Sequence, residues 1–433
     1  MILLGLNELN LEYLLSYIDR YPGRLSNFEN LLSKGFKQTI SEKEYDKLEP
    51  WIQWVTVHSG QSYKEHGIFR LGDIVDRPDV TQLYEVLEGN GFSVGAVSPF
   101  NADNRLKNPK FFIPDPWTKT PSSGSFLVRK LSSAVSNLVN SNAGNRVGFF
   151  DVFWVGIGFL KFCRFSAKLK LFELIKKRNK PGVRAAILDI LLLEAFVHLQ
   201  RKYTPTFSEV FFNGLAHIQH HYLYSSTVAQ TVDDNPEWYC PKDWDPLLFI
   251  LEIYDEIVGE LAKSGEDMLA VTALRQVPHR GTTYYWRITN HTEFFDKIFP
   301  SLNVTASPRM SRDCLLNFRN EEESIIAEQV LQNAFCKQDD EKIFSVDNRG
   351  LSLFIELVYP FDIKNKEFVI GDHSFDNLND KLSFVCLKNG IHDTLGYVFG
   401  TFDLGNERQI QLKEVYNLII NRLIKNESNS VQS

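Results

Sequence analysis

Cysteine is scarce in this 433-residue sequence. Five cysteines are present, far apart along the chain, and no two of them form a Cys-x-x-Cys pair. This spacing argues against a disulfide framework and against a zinc site built from cysteine thiolates. It favours a reducing compartment, so we expect a cytoplasmic protein.

Long apolar runs are also missing. Residues 1–6 are apolar, but they lack a positively charged leader and are interrupted at once by Asn7 and Glu8. The most apolar internal run, residues 147–160, holds Asp151 and three glycines. It is shorter than the ~18–20 residues that a membrane-spanning helix needs. We therefore expect no signal peptide and no transmembrane segment.

The chain as a whole has no excess of positive charge. Its net charge is −7 and its sequence pI is about 5.9, which argues against a nucleic-acid-binding protein with a basic surface. Hydrophobic residues make up 43% and charged residues 23%, as in ordinary globular proteins. We therefore expect a folded chain without nucleic acid as a partner.

One segment reverses this balance. Residues 124–200 carry 12 Lys or Arg against 4 Asp or Glu, and their composition favours helices. The segment is interpreted as an inserted helical cap, and its charge has two interpretations: a solvated face, or a surface that attracts an anionic substrate or makes peripheral contact with a membrane. Its aromatic side chains have three interpretations: the core of the cap, the lining of a substrate cavity, or an interface. These side chains are Phe149, Phe150, Phe153, Trp154, Phe159 and Phe162.

The rest of the chain alternates between strand and helix patterns. Continuous apolar strands are expected at residues 1–6, 92–97, 208–212 and 268–272, with helices between them. This predicts an α/β fold with a mainly parallel central sheet that is flanked by helices. Ligands of such sheets bind at the carboxyl ends of the strands, where Asn7, Glu8, Asn101 and Asn213 are found.

These patterns predict three parts of the chain. Residues 1–123 and 201–425 form the α/β core, residues 124–200 form the basic helical cap, and residues 426–433 form a disordered tail.

Three local clusters carry the residue types of a reactive site. Residues 49–60 hold a glutamate, a glutamine and two tryptophans at an expected helix start, and helix N-termini bind anions. Residues 211–221 pack three histidines after a strand, without the His-Glu-x-x-His pattern of zinc proteases. Residues 388–396 place His392 beside Asp393 in a glycine-flanked loop, where a histidine can serve as ligand or acid–base group.

The order of these clusters resembles the alkaline phosphatase superfamily, in particular its type I phosphodiesterase/nucleotide pyrophosphatase branch. The resemblance rests on Leu-Gly-Leu-Asn-Glu at 4–8, Leu-Ser-Asn-Phe-Glu-Asn-Leu-Leu-Ser-Lys-Gly at 25–35, Ser-Gly at 59–60 and Glu-His-Gly-Ile at 65–68. Asn213 with His217, and His392 with Gly396, match later motifs. The resemblance implies an alkaline-phosphatase-like fold and a hydrolase.

Several ligand positions depart from that family, which the resemblance implies to bind two divalent metals. Its first two aspartates correspond to Asn7 and Asn213, and its nucleophile position corresponds to Pro50, with Glu49 just before it. Its Asp-His pair falls at Ala273-Leu274. Amides do not offset the charge of two zinc ions, so we expect at most one divalent metal.

Two functions follow from this pattern. The first is a hydrolase or transferase that acts on a phosphoester or related anionic ester, such as a nucleotide or sugar conjugate, with a reduced or absent metal site. The second is a non-catalytic member that binds a glycan or a nucleotide-sugar-like ligand. The expected catalytic residues are Glu8, Glu49, His217 and His392; the expected substrate-binding residues are Asn7, Gln53, Trp54, Asn101, Asn213, His220 and Gln276; and a metal, if bound, would use Glu8, His217 and His392.

Overall fold

The computed structural model describes residues 1–140, 148–309 and 312–431. The α-helices are α1 Leu11–Arg20, α2 Ser26–Leu32, α3 Pro50–Ser59, α4 Tyr63–His66, α5 Leu83–Gly89, α6 Phe126–Asn140, α7 Phe149–Phe162, α8 Phe165–Lys176, α9 Val183–Tyr203, α10 Gly214–Tyr222, α11 Pro246–Ala262, α12 His291–Ile298, α13 Glu321–Gln332 and α14 Glu414–Val431. The strands are β1 Ile2–Leu6, β2 Phe36–Ile40, β3 Val94–Val97, β4 Phe111–Ile113, β5 Phe207–Phe212, β6 Met268–Val271, β7 Arg275–Pro278, β8 Tyr284–Ile288, β9 Thr305–Pro308, β10 Asp313–Asn317, β11 Phe335–Cys336, β12 Phe344–Asn348, β13 Ser352–Leu357, β14 Phe368–Ile370, β15 His373–Phe375, β16 Leu382–Leu387, β17 Gly390–Asp393, β18 Leu395–Gly400 and β19 Gln409–Gln411.

An eight-stranded sheet organises the larger of two compact units. Its strand order is β19-β2-β18-β6-β1-β5-β3-β4, and β18 alone runs antiparallel to its neighbours. The central strand β1 is buried along its whole length, as its continuous apolar sequence predicts. The predicted α/β class with a mainly parallel sheet is therefore confirmed.

Two apolar layers cover this sheet. Leu4 and Leu6 of β1 pack with residues of α1, α9, α10 and α11 on one face. Leu3, on the opposite face, packs with residues of α3, α5 and α14. The alternation follows from the period-two geometry of a strand. Both faces of the sheet are thus covered by helices, which leaves its carboxyl edge for ligands.

The second compact unit comprises residues 137–149 and 280–388. Its core lies between α12, α13 and a four-stranded antiparallel sheet of order β12-β13-β10-β9. Strand β13 shows the strict alternation of buried and half-buried residues that is typical of a sheet covered on one face.

The structure divides the chain differently from the sequence prediction. Residues 280–388 form a unit of their own instead of continuing the core, and residues 150–203 belong to the unit that holds the large sheet. Helix α9, expected as part of a cap, buries Ile190, Leu193 and Phe196 in the core beside the sheet. Its apolar residues lie on more than one face, which suits a helix that is buried between other elements.

The predicted tail differs from the structure, and part of the predicted cap lies outside the described residues. Helix α14 continues to Val431, through most of the segment expected to be a disordered tail. Residues 141–147 and 432–433 lie outside the described residues. None of the described helices is both long enough and apolar enough to cross a bilayer.

Candidate functional site

The carboxyl edge of the large sheet carries a set of strained residues. Glu8 follows β1, Ser98 follows β3 and Ala273 follows β6, with φ angles of 60°, 60° and 62°. Left-handed backbone is unfavourable for residues with a Cβ and is concentrated at functional sites. Three strand ends with this conformation therefore mark the edge at which the sequence predicted a ligand.

Glu8 and two histidines form a compact triangle at this edge. The Nε2 atom of His220, on α10, lies 3.0 Å from Oε2 of Glu8, and Nε2 of His392, on β17, lies 3.3 Å from the same oxygen. The two Nε2 atoms are 3.1 Å apart. Three potential ligand atoms from three separate elements thus converge within one coordination sphere.

Glu8 is enclosed and ionised. Burial opposes its charge, but the adjacent His392 and His220 outweigh that penalty and hold the pKa of its carboxyl well below the usual range. The side chain of Glu8 is 2% exposed, whereas His220 is 32% exposed. The triangle is therefore closed on the glutamate side and open to solvent beside His220.

The triangle fits a divalent metal. Its edges of 3.0, 3.1 and 3.3 Å match the spacing of about 3.3 Å between ligand atoms that bind a tetrahedral zinc at about 2.0–2.1 Å. Without a cation, the two Nε2 atoms approach the same carboxylate oxygen while only 3.1 Å apart, where two N–H groups would repel each other. One carboxylate and two imidazoles are a usual ligand set for zinc and other first-row metals.

Amides occupy the neighbouring positions. Asn7 Nδ2 donates to Glu8 Oε1 at 3.1 Å and to Asn213 Oδ1 at 2.8 Å, while Asn7 Oδ1 accepts the indole N–H of Trp54 at 2.9 Å. The structure thus brings Asn7 and Asn213 together, 206 residues apart in sequence. The two amides satisfy each other where a second metal would need carboxylates.

A second group of amides positions the ligands. Gln276 Nε2 donates to Glu8 Oε2 and to the carbonyl of Ala216, and Gln276 pairs with His392 across strands β7 and β17. Its Oε1 is buried without a hydrogen-bond partner. Gln276 therefore holds the glutamate and the two elements that carry the histidines in one arrangement.

Three further residues, not predicted from the sequence, hold Glu8, Gln276 and His220 in place. Gln219 Nε2 donates to the Glu8 carbonyl at 2.8 Å, and Asn10 Nδ2 donates to the Gln276 carbonyl at 2.9 Å. The backbone N–H of Asn389 donates to the His220 carbonyl at 2.7 Å, which ties α10 to the start of β17. Amides next to candidate ligands were the available signal, since Gln219 precedes His220 and Asn10 lies close to Glu8.

His220, and not the predicted ligand His217, lies next to Glu8. His217 belongs to the same helix but is not part of the triangle; its ring packs on that of His221, with centroids 4.1 Å apart. His217 and His220 are three positions apart and so lie on the same side of α10 about one turn apart, which is why their sequence spacing alone does not decide which ring is level with Glu8.

Three further predicted binding residues have other partners. Gln53 is buried and donates to the Lys47 carbonyl at 2.6 Å. Asn101 connects the Gly72 loop to helix α3, accepting from the Gly72 N–H and donating to the Trp51 carbonyl, each at 2.8 Å. Trp54 is fully buried against Phe211 and donates its indole N–H to Asn7, so it positions Asn7 and does not face a ligand.

Glu49 is the more accessible of the two predicted carboxylates. Its Oε2 lies 3.7 Å from Nδ1 of His392, and its side chain is 35% exposed. It is the residue just before α3, so helix geometry fixes its backbone at the helix start. Glu49 thus stands on the opposite side of the His392 ring from Glu8.

Comparison with known proteins gives a likeness of fold. No family model and no curated protein matches the sequence. Among solved structures, phosphonoacetate hydrolase from Sinorhizobium meliloti 1021, solved with phosphonoacetate, has 11% identical residues and a TM-score of 0.44, over 98% of this chain and 95% of that one. A cold-active alkaline phosphatase from Shewanella sp. has 10% identity and a TM-score of 0.39, over 98% and 99%. At these values the likeness says nothing about ligand or reaction in this chain.

Proposed function

We propose that this protein is a hydrolase that acts on a phosphoester or related anionic ester and uses one divalent metal. The observation that carries the proposal is the convergence of Glu8, His220 and His392 on a triangle with edges of 3.0 to 3.3 Å. Such a metal, when bound, would polarise an ester oxygen and lower the pKa of a bound water. The paired amides Asn7 and Asn213 support a site for one metal instead of two.

The surrounding helices favour an anionic substrate. Helices α1 and α3 begin at Leu11 and Pro50, each within a few residues of Glu8 or Glu49. The positive end of a helix dipole lies at its N-terminus and stabilises anions. Two such ends near the triangle favour a phosphoryl group or a similar anion over a neutral ligand.

Glu49 is the proposed proton acceptor. Glu8 is enclosed and bonded to Asn7, Gln276 and both histidines, so it serves as ligand and not as base. Glu49 has one oxygen near His392 and a partly exposed side chain, so it can reach a water molecule or a substrate hydroxyl. Because Pro50 offers no hydroxyl group at the nucleophile position of the resemblance, hydrolysis would use water directly.

The alternative is binding without hydrolysis. Trp54, expected from the sequence to bind substrate, has its ring fully buried in the core and cannot stack on a sugar ring. This weakens the glycan-binding hypothesis, although nucleotide and sugar conjugates stay within the proposed class of anionic esters.

Elemental analysis combined with an activity panel tests the proposal. The protein purified without chelator should contain about one divalent metal per chain and should hydrolyse at least one of a phosphomonoester, a phosphodiester, a nucleotide sugar or a phosphonate. Two metals per chain would contradict the single site. One metal with no turnover on the whole panel would favour the binding alternative.

Three variants sharpen the test. His220→Asn should lose the metal, whereas His217→Asn, on the same helix, should retain it, which separates the two assignments of the ligand histidine. Glu49→Gln should keep the metal but lower turnover by about 100-fold, within the range for loss of a general base. Metal loss in His217→Asn would show that the triangle is assigned wrongly.

A further inference from the structure

Helices α7 and α8 each present an apolar stripe to solvent. On α7, Phe153 and Leu160 are 48% and 67% exposed, at a spacing of seven residues that places them on one face. On α8, Phe165, Leu169 and Phe172 are 77%, 55% and 59% exposed, at spacings of four and three. We call these five side chains the outer stripe.

The outer stripe is additional to what the core requires. The opposite face of α8 already buries Ala167, Leu171 and Leu174. On α7, Phe162 is buried and Gly158 lies against Leu131 of α6. A solvated helix is polar on its outer face, and exposed apolar patches of this kind mark interaction surfaces. The outer stripe is therefore expected to be an interaction surface.

Basic residues surround the outer stripe. Residues 148–180 hold eight Lys or Arg and two Asp or Glu. The exposed basic residues include Lys161, Lys177 and Arg178, and Lys176 Nζ lies 4.5 Å above the Phe172 ring. Lys168 Nζ donates to the Leu160 carbonyl at 3.0 Å, which fastens α8 to the end of α7. The segment that carries the outer stripe thus combines exposed apolar side chains with exposed cationic ones.

We propose that the outer stripe docks on an anionic lipid bilayer. Aromatic and leucine side chains would enter the interface while the lysines and Arg178 face the headgroups, as in amphipathic helices that lie in the membrane plane. Helix α7 has 14 residues, about 21 Å, and so would lie in the interface without crossing it. A second copy of this chain fits less well, because twofold pairing would place like charges against each other.

Vesicle flotation with the full-length protein tests this docking independently of the proposed function. We expect the protein to float with vesicles of phosphatidylcholine containing about 30% phosphatidylserine at about 0.1 M salt, and to bind weakly to pure phosphatidylcholine. The triple variant Phe165→Ser, Leu169→Ser, Phe172→Ser should reduce the partition coefficient by about tenfold or more. The double variant Lys177→Gln, Arg178→Gln should reduce it by about fivefold per residue, and added salt should remove that difference.

A matched control replaces two exposed apolar residues elsewhere. Ile325 and Ile326 on α13 are 47% and 50% exposed, and the first turn of that helix is acidic. Ile325→Ser with Ile326→Ser should bind vesicles like the parent. Equal binding by the α8 triple variant, or no binding of the parent to anionic vesicles, would overturn the proposal. Light scattering that shows a stripe-dependent dimer without vesicle binding would also overturn it. Hydrolysis of a soluble ester has no part in these outcomes.

Discussion

Two buried glutamates in the same unit contact histidine, but their surroundings differ. Glu209 lies within β5 and is fully buried; its Oε1 is 3.1 Å from Nε2 of His58, and its Oε2 accepts the Tyr84 hydroxyl at 2.6 Å. Glu8 follows the neighbouring strand β1 and receives two histidine nitrogens on one oxygen. Each carboxylate oxygen of Glu209 has one described hydrogen-bond partner, whereas Oε2 of Glu8 is approached by His220, His392 and Gln276.

The difference shows what separates a structural pair from a candidate ligand set. A buried carboxylate beside one imidazole and one hydroxyl satisfies its hydrogen bonds and closes the core around it. Two imidazole nitrogens 3.1 Å apart on one oxygen bring their N–H groups into repulsive contact, and a cation bound by all three atoms removes that repulsion. The position in the fold also separates the two carboxylates, because Glu8 lies at the strand end where ligands bind and Glu209 does not.

The largest contrast is expected between Glu8→Gln and Glu209→Gln. Glu8→Gln removes the carboxylate of the triangle, so metal content should fall to background and turnover by about 1000-fold or more, beyond the 10- to 100-fold cost of losing a partner of a metal ligand. Elemental analysis and initial rates on the best ester of the panel measure both effects. If Glu8→Gln retains metal and turnover, the triangle is not the reactive site.

A third buried carboxylate sharpens the comparison because its described partners are a hydroxyl and the backbone N–H groups of Gly214 and Asn213. Asp189 on α9 accepts from the Tyr254 hydroxyl at 2.5 Å and from the Gly214 N–H at 3.0 Å, both on Oδ2. Burial raises the pKa of Asp189 to about 7, against these hydrogen bonds. Unlike Glu8, which stays charged between histidines, Asp189 gains its proton near neutral pH.

The raised pKa gives a pH dependence of stability. Between about pH 4 and pH 7 the folded protein holds a proton on Asp189 that the unfolded chain releases, so this contribution is complete below about pH 4 and is lost as the pH rises through 7. Asp189→Asn keeps one oxygen for the Tyr254 and Gly214 donors and removes the charge. We expect it to stabilise the protein by about 4 kcal/mol at pH 8 and by close to zero at pH 4, measured by urea unfolding. An equal effect at both pH values would contradict the assignment.

The sequence predicted the sheet and its reactive edge better than it predicted individual side chains. Strands β1, β5 and β6 are buried on both faces; the apolar runs of β1 and β6 are continuous and identify them, whereas Ser208 and Glu209 interrupt that of β5. The positions of Asn7, Glu8 and Asn213 follow from where these strands end. His220 could not be separated from His217, because residues three apart lie on the same side of a helix, and the level at which α10 meets Glu8 depends on the Asn389 contact from a distant segment.

Long-range packing also explains the parts that were not predicted. Gln53, Trp54 and Asn101 have the chemistry of binding residues, but each makes its hydrogen bond to another part of the protein, Gln53 to Lys47, Trp54 to Asn7 and Asn101 to Trp51. Residues 280–388 have their own antiparallel sheet, whose alternating strands resemble short extensions of a larger fold when seen in sequence alone.

Glu209→Gln tests the structural side of the comparison. The neutral amide can accept from one of the two donors and directs its own N–H groups at the other, so we expect a loss of about 2 kcal/mol in the free energy of unfolding. Metal content and turnover of the folded protein should match those of the parent. A loss of metal in Glu209→Gln would show that the two carboxylates belong to one functional network.

Tyr84→Phe should have the smallest effect, and it isolates one hydrogen bond. The ring of Tyr84 packs edge-on against Phe112, with centroids 5.9 Å apart, and against His58 at 5.3 Å, and phenylalanine preserves both contacts. The change leaves Oε2 of Glu209 without its hydroxyl donor in a site that water does not enter, so we expect a loss of about 1.5 kcal/mol. Urea unfolding of Tyr84→Phe, Glu209→Gln and the double variant measures the coupling between them. Because both single variants disrupt the same bond, the double variant should cost less than the sum of the two; strict additivity would mean that the Tyr84 hydroxyl and the Glu209 carboxylate do not stabilise each other, and that the closed structural pair is wrongly assigned.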